Sequence, residues 1–478
     1  MVNALGLTKT TIEGRLTVDE QVTILHTNDI HSHFENWPRI QRYLLTEREQ
    51  RRQSGSHVIT VDLGDAVDRA HPLSEATQGQ ANVALLNAIG YDAVTIGNNE
   101  GLGLTHAALN RLYDRANFDV VLGNLTDTAT QRPPQWALPA KIITTARGTR
   151  VLLLAFTAPF TLTYPLNGWT PASVKTRFPE LLRQYAGQYD VLIVMSHLGI
   201  NVDRWLAKQF PVIDVVIGSH THHLLVNGEL KNGVLIAAAG KYGEYIGRIE
   251  LTIDHQHHVK AAAAHTVATA SLPIVAGDET LITGWEQQGE TLLTRQVVAK
   301  VPTQLRPHWH HASDLTALGL AAITDYAKTD LGMLNGGLFM RDLPAGMVNR
   351  NDLHTMLPHA MHVIRVTLTG EALWRLVYEM ELVRPFLNKF PIKGMGFRGQ
   401  VFGYIQYQGL TWKTGQHTLL VNGQPVNRQQ TYQIALLDHD LFIPFFPTIN
   451  ISGRTEILFE AMLRTVVGDY LMRRWPVK

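Results

Sequence analysis

Five short apolar segments between residues 22 and 217 each end in polar side chains that can bind a metal ion. The segments span residues 22–25, 58–61, 93–96, 191–195 and 215–217, and their length and composition are typical of buried strands. Stretches with helical spacing lie between several of them, which predicts a largely parallel sheet covered by helices. In such sheets, functional groups collect beyond the carboxyl ends of the strands.

The residues at these strand ends are of the types that bind divalent metals. Asp29 and His31 lie two positions apart, and such residues point to the same side of an extended segment. Taken alone, each strand end has a simpler explanation, such as a capped turn at Asp65 or a core histidine at His197. Seven oxygen and nitrogen ligands at five strand ends are enough for two divalent ions that share one carboxylate. The seven are Asp29, His31, Asp65, Asn98, His197, His220 and His222.

The composition restricts the chemistry and the partners. The 478 residues include no cysteine, so any metal must be held by oxygen and imidazole ligands. A net charge of +1 does not favour a broad nucleic-acid surface. The first 23 residues lack the apolar core of a signal peptide, and no run approaches the roughly 18 apolar residues of a membrane span. We therefore expect a cytoplasmic monomer or homodimer without nucleic-acid or membrane partners.

The motifs around these residues follow one another in a familiar order. The segments H-T-N-D-I-H, D-L-G-D, G-N-N-E, S-H-L-G and G-S-H-T-H resemble the blocks of the calcineurin-like metallophosphatases, and more narrowly those of the bacterial 5′-nucleotidase branch. The resemblance implies an α/β (α+β) fold with four layers, in which a sandwich of two mixed sheets is wrapped by helices. It also implies a C-terminal α/β domain that binds the substrate. We expect the catalytic domain in residues 1–272, a linker helix in 273–300 and the substrate domain in 301–478.

The resemblance divides the seven ligands into two sets with a bridging carboxylate. The sets are Asp29, His31 and His222 for the first ion and Asn98, His197 and His220 for the second, with Asp65 between the ions. Mn, Zn, Fe and Co are the candidate metals. Two ions roughly 3.5–4 Å apart can hold a bridging hydroxide and the phosphoryl oxygens for in-line attack at phosphorus. The implied reaction is hydrolysis of nucleotides or related small phosphate esters.

The fourth block departs from the family pattern. This branch usually has G-N-H-[DE], in which the histidine protonates the leaving oxygen and an aspartate three residues later orients it. Asn99 and Leu102 occupy these two positions here. We expect Asn99 to contribute a hydrogen bond to catalysis beside Asp65, but asparagine cannot act as a general acid. Two alternatives stay open: a phosphodiesterase for cyclic or dinucleotide substrates with better leaving groups, and a metal-dependent nucleotide-binding protein without turnover.

The second half of the chain contains weaker signals for substrate contacts. The stretch N-G-G-L-F-M-R is one residue longer than the family's N-G-G-x-x-R, which implies that Asn335 and Arg341 lie near the substrate phosphate. Q-V-F-G-Y is similar to the loop whose aromatic ring stacks on the base, which implies Phe402, and F-F-P offers Phe446 as a second ring. Each stack contributes about 1–3 kcal/mol. The alternative for these rings is core packing.

Overall fold

Two β-sheets packed face to face form the core of the N-terminal domain. The computed structural model describes residues 19–392, 394 and 396–477. Within these residues the first sheet has seven strands, in the order Val259–Ala268, Tyr245–Ile253, Glu20–Thr27, His57–Asp62, Ala93–Val94, Asp119–Val121 and Ala137–Leu138. The second has six strands, in the order Leu224–Lys231, Val234–Ala239, Val215–Gly218, Val191–His197, Arg150–Thr157 and Lys141–Thr144.

The central strands are apolar on both faces because each face has its own core. Ile193 lies in the core between the two sheets, whereas its neighbours Leu192 and Val194 pack against the helices outside. Side chains alternate between the faces of a strand, so a continuous apolar run is what a strand covered on both sides requires. The order helix, sheet, sheet, helix confirms the four-layer fold that the resemblance implies. The largely parallel sheet predicted from the strand and helix pattern is instead two mixed sheets, because strands at the edges pair antiparallel.

Helices cover the outer face of each sheet. Those beside the first sheet are Trp37–Gln53, Pro72–Thr77, Gln80–Ile89, Asn98–Gly103 and His106–Leu112. Those beside the second sheet are Val174–Gln184 and Ile200–Gln209. A short two-stranded sheet pairs Leu125–Asp127 with Trp169–Pro171. No helix of the described residues combines the length and the apolar content that crossing a bilayer requires.

The helix Asp278–Thr294 connects the two domains and packs on the N-terminal one. Trp285 contacts the apolar cluster outside the first sheet, and a Cβ at Gly289 would lie 2.1 Å from the backbone nitrogen of Leu73, so only glycine fits there. The prediction that this helix continues to residue 300 is wrong at its end. Residues Val297–Val301 form a strand paired with Gly346–Asn349, because Val298 and Ala299 are buried in the C-terminal core. The predicted domain boundaries, with the catalytic domain ending at residue 272 and the substrate domain beginning at residue 301, stay predictions.

The C-terminal domain has a separate core around a mixed sheet. Its five strands have the order Ile405–Gln408, Leu331–Asn335, Thr431–Leu437, His362–Thr369 and Arg454–Met462. Three longer helices pack on this sheet and on one another: Asp314–Ala327, Gly370–Leu387 and Leu463–Arg474. Shorter helices are Arg350–Met356, His439–Phe442 and Pro447–Ser452, and a three-stranded sheet contains Leu410–Lys413, Thr418–Val421 and Gln424–Pro425.

Candidate active site

The predicted metal ligands meet at one edge of the sandwich, where the strands end. Three ligand atoms there belong to His31, His222 and Asp29. The Nε2 atoms of the two histidines are 3.2 Å apart, and they lie 3.9 Å and 3.6 Å from Asp29 Oδ1. This spacing brings three metal-binding atoms around one point. The structure therefore assembles the set that the sequence predicts for the first ion.

A second group of ligand atoms adjoins the first and includes Asp29 again, with Asp65 and His197. Asp65 Oδ2 lies 3.5 Å from His197 Nε2 and 3.6 Å from His31 Nε2, so this oxygen faces both groups. The imidazole ring of His220 is 5.2 Å from that of His197. His197 Nε2 and Asn98 Oδ1 are buried without a hydrogen-bond partner among the described residues. Buried polar atoms rarely lack a hydrogen-bond partner. An imidazole nitrogen and an amide oxygen are both suitable ligands for a divalent cation.

Five of these ligand residues have a left-handed backbone. The φ angles are 50° for Asp29, 48° for His31, 50° for Asp65, 72° for His220 and 58° for His222. Residues other than glycine pay about 1–3 kcal/mol for such a conformation. Hydrogen bonds between neighbouring loops hold the turns, since the backbone nitrogens of Asp29 and His31 donate to Gly64 and Asp65 carbonyls. The prediction that Asp29 and His31 converge because their segment is extended is therefore wrong, because the strand ends at Thr27 and left-handed turns orient the two side chains.

Glu100 stabilises this arrangement without being a predicted ligand. Its buried carboxylate accepts hydrogen bonds from the backbone nitrogens of Asp65, Val67 and Gly97 at 2.8–3.0 Å. Burial, together with the nearby charge of Asp65, raises the pKa of Glu100 to about 7. One side chain thus connects the loops that follow two neighbouring strands. Ser219 has a similar role, because its Oγ donates to Asp29 Oδ2 at 2.7 Å.

The charge of Asp65 is matched by the imidazoles around it. Burial opposes its ionisation, but His197 and His31 together hold the pKa of the Asp65 carboxyl below its ordinary range. Burial also opposes a charge on His197, whose pKa is nevertheless raised to about 10 by Asp65. The centre therefore holds an ionised carboxylate in a buried position, ready to face a cation.

Asn99 lies beside Asp65 and His31. Its backbone nitrogen donates to Asp65 Oδ1 at 2.7 Å, and its side-chain nitrogen lies 2.9 Å from His31 Nδ1 and donates to the Val67 carbonyl at 3.1 Å. Leu102, at the position of the family's orienting aspartate, packs against the apolar cluster outside the first sheet. The Asn99 amide thus lies beside the predicted metal ligands. Asn99 and the partly buried Leu102 occupy the two positions at which the resemblance implies a histidine and an aspartate.

Two histidines near this edge have other partners. His106 Nε2 is 2.8 Å from Asp127 Oδ2, and its ring lies 4.3 Å from that of Trp169. His33 Nδ1 is 2.6 Å from Glu35 Oε1, and its ring lies 3.9 Å from that of Tyr242. Tyr242 in turn lies 5.6 Å from the His31 ring. His33 is therefore a neighbour of the ligand groups.

The C-terminal residues predicted to bind the substrate differ in their exposure to solvent. Phe402 and Phe446 are fully buried, with their rings edge to face in the core of the domain. Their faces are covered by core side chains, which corrects the prediction that they stack on a base. Asn335 is also buried, and its Nδ2 donates to the Phe402 carbonyl at 2.5 Å, so it supports the loop. Arg341 is exposed.

Two functional candidates were not predicted from the sequence: Asp68 lies next to His31, and Arg398 contacts Asp68. Asp68 Oδ2 is 3.5 Å from His31 Nδ1, and it accepts a hydrogen bond from Arg398 of the C-terminal domain at 2.5 Å. A carboxylate behind a metal-ligating imidazole is a common arrangement that fixes the ring. Asp68 follows Asp65 by three residues, and that proximity to a predicted ligand is the signal that could have found it. Arg398 lies 330 residues after Asp68 in the sequence and has no comparable signal.

Comparison with known proteins agrees with the two domains. Residues 22–224 match the calcineurin-like phosphoesterase family, and residues 296–442 match the 5′-nucleotidase C-terminal domain. The chain is 35% identical over 459 residues to the uncharacterized metallophosphoesterase YunD of Bacillus subtilis (strain 168), which covers 94% of this chain and 98% of that protein.

Solved structures share the fold over nearly the whole length. A putative 5′-nucleotidase from Staphylococcus aureus in complex with α-ketoglutarate has a TM-score of 0.67 at 15% identity, covering 96% of this chain and 98% of the other. The NAD nucleotidase of Haemophilus influenzae has a TM-score of 0.66 at 15% identity, covering 96% and 97%. The chain therefore belongs to the calcineurin-like metallophosphoesterases that have a 5′-nucleotidase C-terminal domain, and it is a phosphoester hydrolase of a family that uses divalent metal ions.

Proposed function

We propose that the protein is a dinuclear metallophosphoesterase that hydrolyses nucleotides or related small phosphate esters. The observation that supports this most directly is the position of Asp65, whose Oδ2 lies 3.6 Å from His31 Nε2 and 3.5 Å from His197 Nε2. A carboxylate that faces two ligand groups is what a pair of ions with a shared ligand requires. The proposed sets are Asp29, His31 and His222 for one ion and Asn98, His197 and His220 for the other, with Asp65 shared.

The residues of the chain divide the chemical work with the ions. When bound, divalent ions such as Mn, Zn, Fe or Co neutralise charge on the phosphoryl group and make water a better nucleophile. Asp29 and Asp65 hold the negative charge that such ions need, and the second of these also anchors the Asn99 backbone. The Asn99 side-chain nitrogen contacts His31 Nδ1 and the Val67 carbonyl, so donating a hydrogen bond to a phosphoryl oxygen requires it to give up one of these contacts. It provides no proton for the leaving oxygen, so the leaving group must depart as an anion or take a proton from water.

Nucleotide recognition is assigned to the C-terminal domain. The exposed guanidinium of Arg341 is the predicted contact for phosphate. For the base we propose Phe445 in place of the buried Phe446, because Phe445 is partly exposed. Its ring lies 5.8 Å and 5.6 Å from those of Phe386 and Phe390, which form an aromatic surface with it. The names of the S. aureus and H. influenzae neighbours, a 5′-nucleotidase and an NAD nucleotidase, support a nucleotide substrate.

The test combines metal analysis with a phosphate-release screen. The purified protein, loaded in turn with each candidate metal, is assayed on nucleoside mono- and diphosphates, cyclic nucleotides and an aryl phosphate. We expect about two ions per chain, as a two-metal site requires, and release of phosphate from at least one nucleotide. Bound metal with no release from any substrate would instead support a nucleotide-binding protein.

A second candidate function is a phosphodiesterase for cyclic or dinucleotide substrates. It is favoured by the contact of Asn99 with His31 and by the position of Leu102, which is partly buried against an apolar cluster, since no acid pair is then present at these two positions. A pyrophosphate or diester with a good leaving group depends less on a general acid. Turnover of such substrates without turnover of monophosphates would select this function.

A further inference from the structure

An ion pair between the two domains lies directly beside the candidate metal centre. Arg398 Nη2 donates to Asp68 Oδ2 at 2.5 Å. The same oxygen lies 3.5 Å from His31 Nδ1. The second ring nitrogen of this histidine, Nε2, lies 3.2–3.9 Å from atoms of Asp29, Asp65 and His222. One carboxylate thus separates a proposed metal ligand from a guanidinium of the other domain.

The backbone that bears Arg398 is fixed in the C-terminal core. Its nitrogen donates to His359 Nδ1 at 3.0 Å, and His359 Nε2 donates to the Leu338 carbonyl at 2.6 Å. Burial lowers the pKa of His359 to about 3, so the ring stays neutral and can accept as well as donate. Phe397 stacks on this ring at 5.2 Å. The backbone at Arg398 is therefore held in place by contacts within the C-terminal domain.

The guanidinium has hydrogen-bonding capacity to spare. An arginine has five N–H donors and remains charged at any pH that the protein meets. Arg398 Nε is buried and has no hydrogen-bond partner among the described residues. The side chain as a whole is 30% exposed, so it is reachable from solvent. Because Nε is buried, the exposed part of the guanidinium is what an anionic ligand can contact, and a planar guanidinium suits phosphoryl oxygens in particular.

Resting on the proposed function, we propose that Arg398 is a substrate-binding residue that the C-terminal domain contributes to the metal centre. It contacts the phosphoryl group of the substrate and supplies the positive charge that Asn99 does not provide. Asp68 is the positioning residue, because it holds the guanidinium and the His31 ring on opposite sides of one carboxylate. The site is then complete only when the two domains lie together as they do in this structure.

The inference is tested with Arg398→Gln in the full, metal-loaded chain. Binding of inorganic phosphate is measured by calorimetry, next to KM and kcat for an aryl phosphate, metal content and melting temperature. We expect phosphate affinity to fall and KM to rise roughly 10- to 100-fold, the effect of losing a hydrogen bond to a charged group. Metal content should stay at the wild-type level. Arg398→Lys should recover part of the loss, and guanidinium ion should partly rescue Arg398→Ala.

Two matched variants separate substrate binding from domain contact. Arg464→Gln breaks a neighbouring interdomain pair, in which Arg464 Nη2 lies 3.0 Å from Glu75 Oε2. Arg428→Gln breaks an exposed pair with Glu371 within the C-terminal domain. We expect neither variant to weaken phosphate binding as Arg398→Gln does, and neither to respond to guanidinium. Equal losses in Arg464→Gln and Arg398→Gln would overturn the inference.

The result also distinguishes this inference from the proposed function. An active wild-type enzyme whose Arg398→Gln variant binds phosphate with unchanged affinity overturns the role of Arg398 alone. A metal-loaded wild type that neither binds phosphate nor releases it overturns the proposed function, and the inference with it.

Discussion

The two domains place their polar residues by different means. In the N-terminal domain, Asp29 and Asp65 follow two strands that are hydrogen-bonded neighbours in the first sheet, and His197 ends a strand of the second sheet, which packs face to face with the first. In the C-terminal domain the predicted contacts lie in loops, and the structure buries Phe402 and Phe446 while it exposes Arg341. Proximity at strand ends follows from the architecture, whereas exposure in a loop depends on how the whole domain packs.

The largest effect should come from Asp65, the shared carboxylate. Asp65→Asn should abolish turnover and lower metal content at both sites, because its oxygen faces both ligand groups. The loss should exceed the roughly 10²–10³-fold that removal of one electrostatic donor costs. Asp29→Asn should lower metal content mainly at the first ion, to which the proposed sets assign Asp29 with His31 and His222. Metal content and phosphate release are measured on the same preparations.

His222→Ala is the control for this experiment. His222 belongs to one ligand group, so its loss should release about one ion and leave the other bound. If Asp65→Asn kept both ions and full activity, the dinuclear assignment would be wrong.

The next largest effect concerns the leaving group. Without a general acid at Asn99, an aryl phosphate should be hydrolysed roughly 10²–10⁴-fold faster than a nucleoside monophosphate in the chemical step. Single-turnover measurements over leaving groups of increasing pKa give the slope. A flat dependence would show that another acid is present, and His33 would be the first residue to replace.

The double variant Asn99→His with Leu102→Asp sharpens the same comparison. It restores the family's acid and its orienting carboxylate, so it should accelerate monophosphates selectively. Leu102 is partly buried against an apolar cluster, and the new aspartate will lower stability. Rates are therefore compared at a temperature at which the variant remains folded. The single variant Asn99→His is the control, because its imidazole has no orienting partner.

The sequence predicted the parts of the site that the backbone determines. Asp29 and His31 could be placed at a strand end because the apolar run before them is unambiguous. Glu100 and Ser219 could not be given their roles, since a hydrogen bond to a neighbouring loop leaves no pattern in either segment. Arg398 was not predicted, because its contact with Asp68 depends on how two separately folded domains dock. The helix end at Thr294 was missed because burial of Val298 and Ala299 in the second core overrides local helical spacing.

Adjacent phenylalanines offer a matched pair for the C-terminal domain. Phe446 is fully buried, so Phe446→Ala should lower the free energy of unfolding by about 3–5 kcal/mol. Phe445 is partly exposed, so Phe445→Ala should cost less stability and weaken nucleotide binding by about 1–3 kcal/mol, the value of one stack. Denaturant unfolding and KM for a nucleotide relative to glycerol phosphate measure the two effects. Unchanged relative KM in Phe445→Ala would exclude Phe445 as the stacking ring.

A further effect, on stability alone, is expected at the interface between the domains in acid. Burial opposes a charge on Glu75, but Arg464 and Arg69 lower its pKa from 4.5 to about 2. A lowered pKa stabilises the folded state above the unfolded value, so this stability is lost as the pH falls from about 4.5 to about 2. The contribution is about 3 kcal/mol. Unfolding midpoints measured from pH 6 to pH 3 should therefore fall less steeply in Glu75→Gln than in the wild type.

Glu371→Gln is the control for the acid experiment, because Glu371 pairs with Arg428 at an exposed surface. Exposed pairs contribute at most about 1 kcal/mol. A pH dependence in Glu75→Gln as steep as that of the wild type would place the acid-sensitive group elsewhere.

The left-handed turns at the metal centre have a consequence for laboratory evolution. At His31, Asp65 and His222 the backbone adopts angles that glycine accepts without strain. A library of variants selected only for resistance to heat should therefore accumulate glycine at these positions. Each such variant would have a higher thermal stability but no catalytic activity. Alternating rounds of selection for heat resistance and for phosphate release would be needed to keep the ligands. At the metal centre, thermal stability and catalytic activity thus favour different residues.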